Sequence, residues 1–206
     1  MDHLVRTYLW QSKVHWPERE QALITVLELL EDKTESRRIV DIGCGPGLLL
    51  PGIDKFNFKY LGIDASDSII RYCESLEKKN DVTFLQSDLS NEKDVRFVNT
   101  DIVILNGVAH HLDELQFRDL ILKINKVEDV ILLDHYRPFD RLSLKNFIPY
   151  ILQSLDKGKF VRDYEFFQNL PGFMIKSRNL FPIKFLGIRL WDYFCHHYQK
   201  TNVAQK

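Results

Sequence analysis

The sequence predicts an α/β protein with a doubly wound sheet, mostly parallel and covered by helices on both faces. Strand-like and helix-like segments alternate from residue 38 to residue 134, and such alternation produces right-handed crossovers between parallel strands. The strand-like segments are short apolar runs, as expected for strands buried on both faces. A glycine-rich turn follows the first of them, at the sheet edge where this fold class binds ligands.

The five strands of the alternating region are predicted at residues 39–42, 59–64, 82–86, 101–106 and 129–134. Ser66 is a suitable N-cap for the helix after the second strand, and Asp113 with Gln116 forms a capping box before the helix that follows the fourth. Leu48 begins an apolar stretch that predicts a helix after the glycine turn. Ahead of the first strand, we expect one helix at residues 4–11 and a second that begins at Pro17.

The last third of the chain departs from the alternation. An apolar stripe at residues 144–155 predicts a helix, which is expected to form a lid between the fifth and sixth strands. Residues 173–178 and 190–195 read as two strands without a helix between them, so they should pair antiparallel. The expected single domain, residues 1–206, divides into N-terminal helices (1–37), a cofactor-binding core (38–134), a lid and substrate segment (135–172) and C-terminal strands (173–206).

Composition excludes several classes of function. The 206 residues carry a net charge of −1, so the chain lacks the surplus of cations that binds nucleic acid or anionic lipid. No secretory signal pattern or run of membrane length is present, and three cysteines without a C-x-x-C pattern favour reduced, buried thiols. We therefore expect a cytoplasmic protein that binds neither nucleic acid nor membrane. The oligomeric state does not follow from the sequence.

The glycine turn has the pattern D-x-G-x-G-x-G, from Asp41 to Gly47. Glycines allow the backbone N–H groups to approach a ligand closely. The dinucleotide fingerprint G-x-G-x-x-G would require glycine where Leu48 stands. Asp64 ends the second strand, 17 residues beyond Gly47, and a carboxylate there suits the hydroxyls of a ribose in either cofactor class. The turn resembles the first motif of the class I methyltransferases that depend on S-adenosylmethionine (SAM).

This resemblance covers roughly residues 38–198 and implies a Rossmann-like fold with an antiparallel C-terminal strand. It also implies that the chain is an enzyme that uses SAM as its cofactor. Asp41 would orient the charged amino group of SAM, Asp64 would hold the ribose, Asp88 would accept a hydrogen bond from adenine, and Asn106 would lie beside the methionine moiety. The cofactor-binding positions that the resemblance implies are Asp41, Gly43, Cys44, Gly45, Gly47, Asp64, Ala65, Asp88, Leu89 and Asn106. Asp88 and Asn106 have an alternative interpretation, as caps of the turns that follow them.

A general base is required only if the acceptor loses a proton during transfer. The candidates lie on the loops after the fourth and fifth strands, with His111 and His135 foremost and with His110 and Tyr136 as further residues facing the acceptor. Each histidine has an alternative interpretation as a hydrogen-bonding surface residue. Arg162 and Tyr164 lie in the predicted lid segment, where Arg162 is expected to face an anionic or polar group of the acceptor.

No metal site is expected. His196 and His197 are neighbours on a strand and point to opposite faces, and His110–His111 lacks an obvious set of carboxylates. Asp134 with His135 is the further candidate. The expected function is methyl transfer to a small-molecule acceptor, because the length leaves little room for a domain that recognises protein or nucleic acid. Two alternatives remain. The first is a catalytically silent SAM-binding module. The second is a nicotinamide-dependent oxidoreductase, but a short-chain dehydrogenase would need a catalytic Tyr-x-x-x-Lys, and no tyrosine of this chain has lysine four residues later.

Overall fold

The computed structural model of the protein describes residues 3–31, 36–76, 81–88, 97, 100–137, 159–185 and 188–201. Within these ranges seven strands form one sheet in the order β3-β2-β1-β4-β5-β7-β6. The strands are β1 (Arg37–Ile42), β2 (Phe58–Asp64), β3 (Val82–Gln86), β4 (Ile102–Asn106), β5 (Asp129–His135), β6 (Phe173–Phe185) and β7 (Ile188–Lys200). The helices are α1 (His3–Leu30), α2 (Leu50–Ile53), α3 (Asp67–Glu74) and α4 (Glu114–Lys123), with 3-10 helices at Ala109–His111 and Tyr164–Gln168.

The predicted sheet is confirmed. Strands β1 to β5 pair in parallel, and β7 pairs antiparallel with both β5 and β6. The strand order reverses between β1 and β4, which places a crevice at the carboxyl ends of these two neighbouring strands. Strands β6 and β7 have 13 residues each, about twice the predicted length. Pro182 interrupts the apolar pattern of β6, and mostly polar residues follow one another at the end of β7, so the sequence does not reveal the full length of either strand.

Two apolar layers cover the sheet. On one face α1 and α2 pack through Leu23, Leu27 and Ile53 against β1, β4 and β5. On the other face α4 packs through Phe117 and Leu120. Both predicted helix caps are present: Ser66 Oγ accepts from the Ile69 N–H, and Asp113 with Gln116 forms the capping box. These layers hold the carboxyl ends of the strands, where the candidate site lies.

Two predictions about helices were wrong. The two expected N-terminal helices are one continuous helix with Pro17 inside it. Proline removes one backbone hydrogen bond from a helix, but buried residues on both sides of it, Val5 and Leu23, hold α1 in place. The helix after the glycine turn has only four residues and begins at Leu50. Pro51 lies in its first turn, where proline is tolerated, and Gly52 is a poor helix former.

The expected lid helix at residues 144–155 and Leu89 lie outside the described residues. Among the described residues of the lid segment, Phe160 donates its N–H to the His110 carbonyl (3.0 Å) and Arg137 donates to the Arg162 carbonyl (3.0 Å). This part of the segment therefore packs directly on the loop after β4. None of the described helices has the length and apolar character needed to cross a membrane.

Candidate active site

The glycine turn lies between the carboxyl end of β1 and α2. Gly43, Gly45 and Gly47 all have positive φ, at 69°, 53° and 71°, a conformation that glycine adopts without strain. At Gly43 a Cβ would also lie 2.6 Å from Val108 Cγ2, whereas at Gly45 it would meet no atom of the described residues within 4 Å. The turn thus needs glycine at Gly43 for packing, while the backbone at Gly45 borders open space that a ligand can enter.

Asp64, at the end of β2, is bound to the glycine turn. Its Oδ2 accepts from the Gly45 N–H (3.1 Å) and its Oδ1 accepts from the Ser66 N–H (2.9 Å). Burial raises the pKa of Asp64, and these two backbone hydrogen bonds oppose the rise. A carboxylate oxygen has two lone pairs, so each oxygen of Asp64 can accept a further hydrogen bond from a hydroxyl of a ligand.

Asp41, in β1, lies beneath the turn and is 2% exposed. Tyr60 donates its hydroxyl to Asp41 Oδ2 (2.7 Å), while Oδ1 has no hydrogen-bond partner among the described residues. Burial raises the pKa of Asp41 to about 7; the Tyr60 hydrogen bond and the charge of Arg19 oppose the rise, and Asp64 adds to it. The site therefore contains a buried carboxyl group whose ionised form needs a cationic partner.

The end of β3 lies beside Asp64, because the Ser87 N–H donates to the Asp64 carbonyl (3.0 Å). Asp88 follows and is exposed, and Ala65, also exposed, accepts through its carbonyl from the Gln86 side chain (3.3 Å). Asp88 thus stands at the carboxyl edge next to the predicted ribose position. Its role in adenine recognition stays a prediction.

Asn106 ends β4, and Arg19 of α1 donates to its Oδ1. The sequence reasoning missed Arg19, because nothing in its neighbourhood in the sequence links it to a residue 87 positions away. Gly107 follows with φ 70°. A Cβ on Gly107 would lie 2.8 Å from Arg19 Nη2 and 3.8 Å from His110 Cε1. The Asn-Gly pair at this strand end is a turn signal, and it marks the place where Arg19 and His110 approach each other.

His110 and Asp134 form a buried pair across the ends of β4 and β5. His110 Nδ1 lies 2.7 Å from Asp134 Oδ1, and the His110 N–H donates to Asp134 Oδ2 (3.2 Å). Burial alone would raise the pKa of Asp134, but His110 and His135 outweigh it and hold the pKa well below its usual range. The ionised Asp134 accepts the Nδ1 proton of His110, so that Nε2 is the basic nitrogen of the neutral ring.

The structure separates the three histidines that the sequence analysis grouped together. His111 is exposed and lies with its ring centroid 4.0 Å from that of His110. His135 is 1% exposed, with its ring centroid 4.4 Å from that of His110 and 5.6 Å from that of Tyr193. Both His110 and His135 approach Asp134 Oδ1 through Nδ1, at 2.7 Å and 3.3 Å, but His110 has the shorter contact and also lies beside Gly107. The geometry therefore favours His110, rather than His111 or His135, as a base.

His110, Asp134 and His135 each place a possible ligand atom within 4.8 Å of the others, so they form a candidate metal cluster. Asp134 Oδ1 accepts from the backbone N–H of His135 (2.8 Å) and lies 2.7 Å from His110 Nδ1. Asp134 Oδ2 accepts from the backbone N–H of His110 (3.2 Å), so both oxygens of Asp134 take part in hydrogen bonds. A metal ion bound through His110 Nδ1 would have to replace the shortest of these hydrogen bonds, the one between Nδ1 and Asp134 Oδ1. This arrangement favours an oriented imidazole over a metal centre.

Tyr136 and Tyr164 belong to an aromatic layer on the α4 face. Their ring centroids lie 5.1 Å apart, and the Tyr164 hydroxyl lies 3.0 Å from His196 Nε2. Tyr136 is 6% exposed, and burial raises its pKa to about 12, which makes its phenolate an unsuitable base near neutral pH. His197 binds Asp129 on the opposite face of β7 (2.7 Å), as the alternation of the strand requires.

Arg162 binds the backbone of the loop after β4. Its Nη1 donates to the Ala109 carbonyl (2.6 Å) and its Nη2 to the Leu112 carbonyl (2.7 Å). The guanidinium also lies over the rings of Phe117 (5.3 Å) and Phe166 (4.6 Å). Both terminal nitrogens thus bind the backbone of the loop that carries His110, so Arg162 positions this loop. Its expected contact with an anionic or polar group of the acceptor stays a prediction.

A family model described as a methyltransferase domain matches residues 40–127, from β1 to the turn before β5. Residues 40–127 thus resemble a methyltransferase domain, and the sheet that contains them has the strand arrangement expected for a class I methyltransferase fold. No curated protein matches the sequence.

Three solved structures resemble this chain in fold. A putative methyltransferase of Haloferax volcanii, in complex with the Trm112 methyltransferase activator, is 13% identical with a TM-score of 0.73, and 98% of this chain and 99% of that chain are covered. Magnesium protoporphyrin IX methyltransferase of Synechocystis PCC 6803, with bound SAH, is 16% identical with a TM-score of 0.65, and the coverages are 89% and 83%. A putative RNA methyltransferase of Pyrococcus horikoshii is 19% identical with a TM-score of 0.55, and the coverages are 88% and 82%. Two of these proteins are named for different acceptors, a porphyrin and RNA, so the similarity in fold does not identify the acceptor of this chain.

Proposed function

We propose that this chain transfers a methyl group from SAM to a small-molecule acceptor, with His110 as the general base. The observation that carries the proposal is the convergence of three features at one edge of the sheet. The glycine turn is bound to Asp64 (3.1 Å), Asp41 has a buried oxygen without a partner among the described residues, and His110 is oriented by Asp134 (2.7 Å). A cofactor site and a base therefore lie next to each other.

The described residues fit SAM. The open space at Gly45 admits a ligand to the turn, and Asp64 can accept the two hydroxyls of its ribose while it keeps its backbone hydrogen bonds. Asp41 provides a buried negative charge for the cationic part of the ligand. Asp88, exposed beyond β3, has a carboxylate suited to the adenine amino group, and Asn106 borders the methionine end.

Bound SAM supplies a methyl group on a positively charged sulfur, ready for in-line displacement. The protein aligns the acceptor with that group, and alignment of this kind contributes up to roughly 7–11 kcal/mol in the best intramolecular cases. His110 takes the proton of the acceptor at Nε2, while Asp134 holds the Nδ1 proton and stabilises the imidazolium that forms. Arg162 holds the loop that carries His110 through two backbone carbonyls.

Electrostatics supports a small-molecule acceptor over nucleic acid. The net charge is −1, so the chain lacks the excess of cations that neutralises a phosphate backbone. His110 itself is 8% exposed. A base at this depth is suited to an acceptor that enters the site whole, such as a small hydroxyl or amine compound.

Transfer of labelled methyl from SAM tests this function. The protein is incubated with methyl-labelled SAM and, separately, with the metabolite, RNA and protein fractions of a cell extract. We expect label in the metabolite fraction, and none when Asp64→Ala replaces the wild type. Label in RNA or protein alone would contradict a small-molecule acceptor. Binding of SAM without label in any fraction would indicate a catalytically silent module.

A further inference from the structure

Two cysteine side chains lie together beside the glycine turn. Cys44 belongs to the turn and Cys73 to α3, and both are buried, free cysteines. Their Sγ atoms lie 3.6 Å and 3.2 Å from the same acceptor, the Gly45 carbonyl oxygen, and the two thiols are hydrogen-bonded to each other. The fold thus forms a dithiol from two cysteines that are far apart in the sequence.

Gly45 links this dithiol to the predicted ribose site. Its carbonyl oxygen is the acceptor that the two thiols share, and its N–H donates to Asp64 Oδ2 (3.1 Å). Cys44 precedes Gly45 and donates its own N–H to the Ile63 carbonyl (3.0 Å). A displacement of Cys44 towards α3 therefore disturbs the peptide groups that hold the turn and Asp64 together.

The third cysteine shows what is special about Cys44. The hydrogen bond with Cys73, followed by burial and the charge of Asp41, raises the pKa of Cys44, whereas burial alone raises the pKa of Cys195 to about 12. Because the thiolate is the reactive form of cysteine, Cys44 reacts slowly near neutral pH and faster as the pH rises. Once oxidised, however, Cys44 has a second thiol within reach.

We propose that Cys44 and Cys73 are a modification site, at which a hydroperoxide forms a reversible disulfide that impairs SAM binding. The proposal rests on the proposed function, because it assumes that SAM occupies the glycine turn. Cys44 is 8% exposed and Cys73 is 0% exposed, so the Cys44 thiolate attacks the hydroperoxide. The O–O bond breaks, a sulfenic acid forms on Cys44, and an alcohol leaves, or water in the case of hydrogen peroxide. Cys73 then attacks the sulfenic sulfur, the S–O bond breaks and water leaves, so the two thiols lose two electrons in all.

The disulfide changes the surroundings of Gly45. Its two sulfur atoms lie about 2.0 Å apart, and neither retains a proton to donate to the Gly45 carbonyl. Cys44 has to move towards α3, which draws the Gly45 N–H away from Asp64. By thermodynamic linkage, bound SAM opposes the disulfide as strongly as the disulfide opposes SAM.

The test treats the ligand-free protein with hydrogen peroxide at pH 8. Peptides from a digest without reducing agent are searched by mass spectrometry for a bond between Cys44 and Cys73, and calorimetry measures SAM affinity before treatment, after it and after dithiothreitol. We expect the wild type and the matched control Cys195→Ser to form the bond. Both should then bind SAM at least about 10-fold more weakly, as for one lost charge-assisted hydrogen bond, and should recover with dithiothreitol.

Cys73→Ser tests the second step of the reaction. Its hydroxyl keeps a donor for the Gly45 carbonyl but cannot form the disulfide. Oxidation should therefore stop at the sulfenic acid of Cys44, which dimedone labels, whereas the wild type should take up little dimedone. If Cys73→Ser fails to fold, the peptide map and the recovery of the wild type with dithiothreitol decide.

Other results overturn the inference. Oxidation of the wild type without a bond between Cys44 and Cys73 would contradict the disulfide, as would equal dimedone uptake by the wild type and Cys73→Ser. A disulfide that leaves SAM affinity unchanged would refute its effect on the cofactor turn. A wild type that binds no SAM before treatment would refute the proposed function and the effect on SAM, while the peptide map still decides whether the disulfide forms.

Discussion

Asp41→Asn is expected to stabilise the ligand-free protein at pH 8 and to leave its stability at pH 4 nearly unchanged. The pKa of Asp41 is raised from 3.8 to about 7, chiefly by burial. Between about pH 4 and pH 7 the folded state retains a proton that the unfolded state releases, so the free energy of unfolding falls as the pH rises. About three pKa units correspond to an upper bound of about 4 kcal/mol.

The measurement is urea unfolding at several pH values from 4 to 8. In Asp41→Asn the amide has no charge to bury, so the pH dependence due to this residue should disappear. Asp119→Asn is the matched control, because Asp119 is exposed on α4. An identical pH dependence in the wild type and Asp41→Asn would show that Asp41 ionises in the folded state as freely as in water.

His110→Gln is expected to lower kcat by about 10²–10⁴-fold, the usual contribution of a general base, with little change in SAM affinity. His111→Gln is the matched control, because His111 is the adjacent residue and is exposed. Asp134→Asn should also lower kcat, since an amide does not hold the Nδ1 proton in the same tautomer. The assay is methyl transfer to the acceptor found with labelled SAM.

The pH profile separates a base from a structural residue. With His110 as base, kcat of the wild type should rise with pH through the ionisation of one group, and His110→Gln should lack this limb. Full kcat in His110→Gln would contradict the assignment. A fall in kcat that matches a fall in melting temperature, with the pH profile unchanged, would make His110 structural.

The sheet and the cofactor turn were predictable because their signals are local. A continuous apolar run such as that of β4 identifies a buried strand, and the glycines between Asp41 and Gly47 identify a turn with positive φ. The position of Asp64 at the edge of the sheet was predictable because this residue ends the second strand. Each of these inferences uses a few consecutive residues, and parallel topology then gathers the strand ends at one edge.

The parts that the sequence could not provide depend on contacts between distant segments. Arg19 reaches Asn106 from 87 positions away, and a lone arginine on an N-terminal helix has no pattern of its own. The preference for His110 over His111 comes from the bond to Asp134, 24 positions away. Arginine is a residue type that often binds ligands, but Arg162 donates to the backbone carbonyls of Ala109 and Leu112, and the sequence gives no sign of these contacts.

The central claim is that the glycine turn and Asp64 form a SAM site. Calorimetric titration of the wild type and Asp64→Ala with SAM and with NAD tests it most directly. We expect the wild type to bind SAM and not NAD, and Asp64→Ala to bind SAM more weakly by about 1.5–3 kcal/mol for each charge-assisted hydrogen bond lost. Melting curves show whether the variant stays folded. Binding of NAD without binding of SAM would contradict the account.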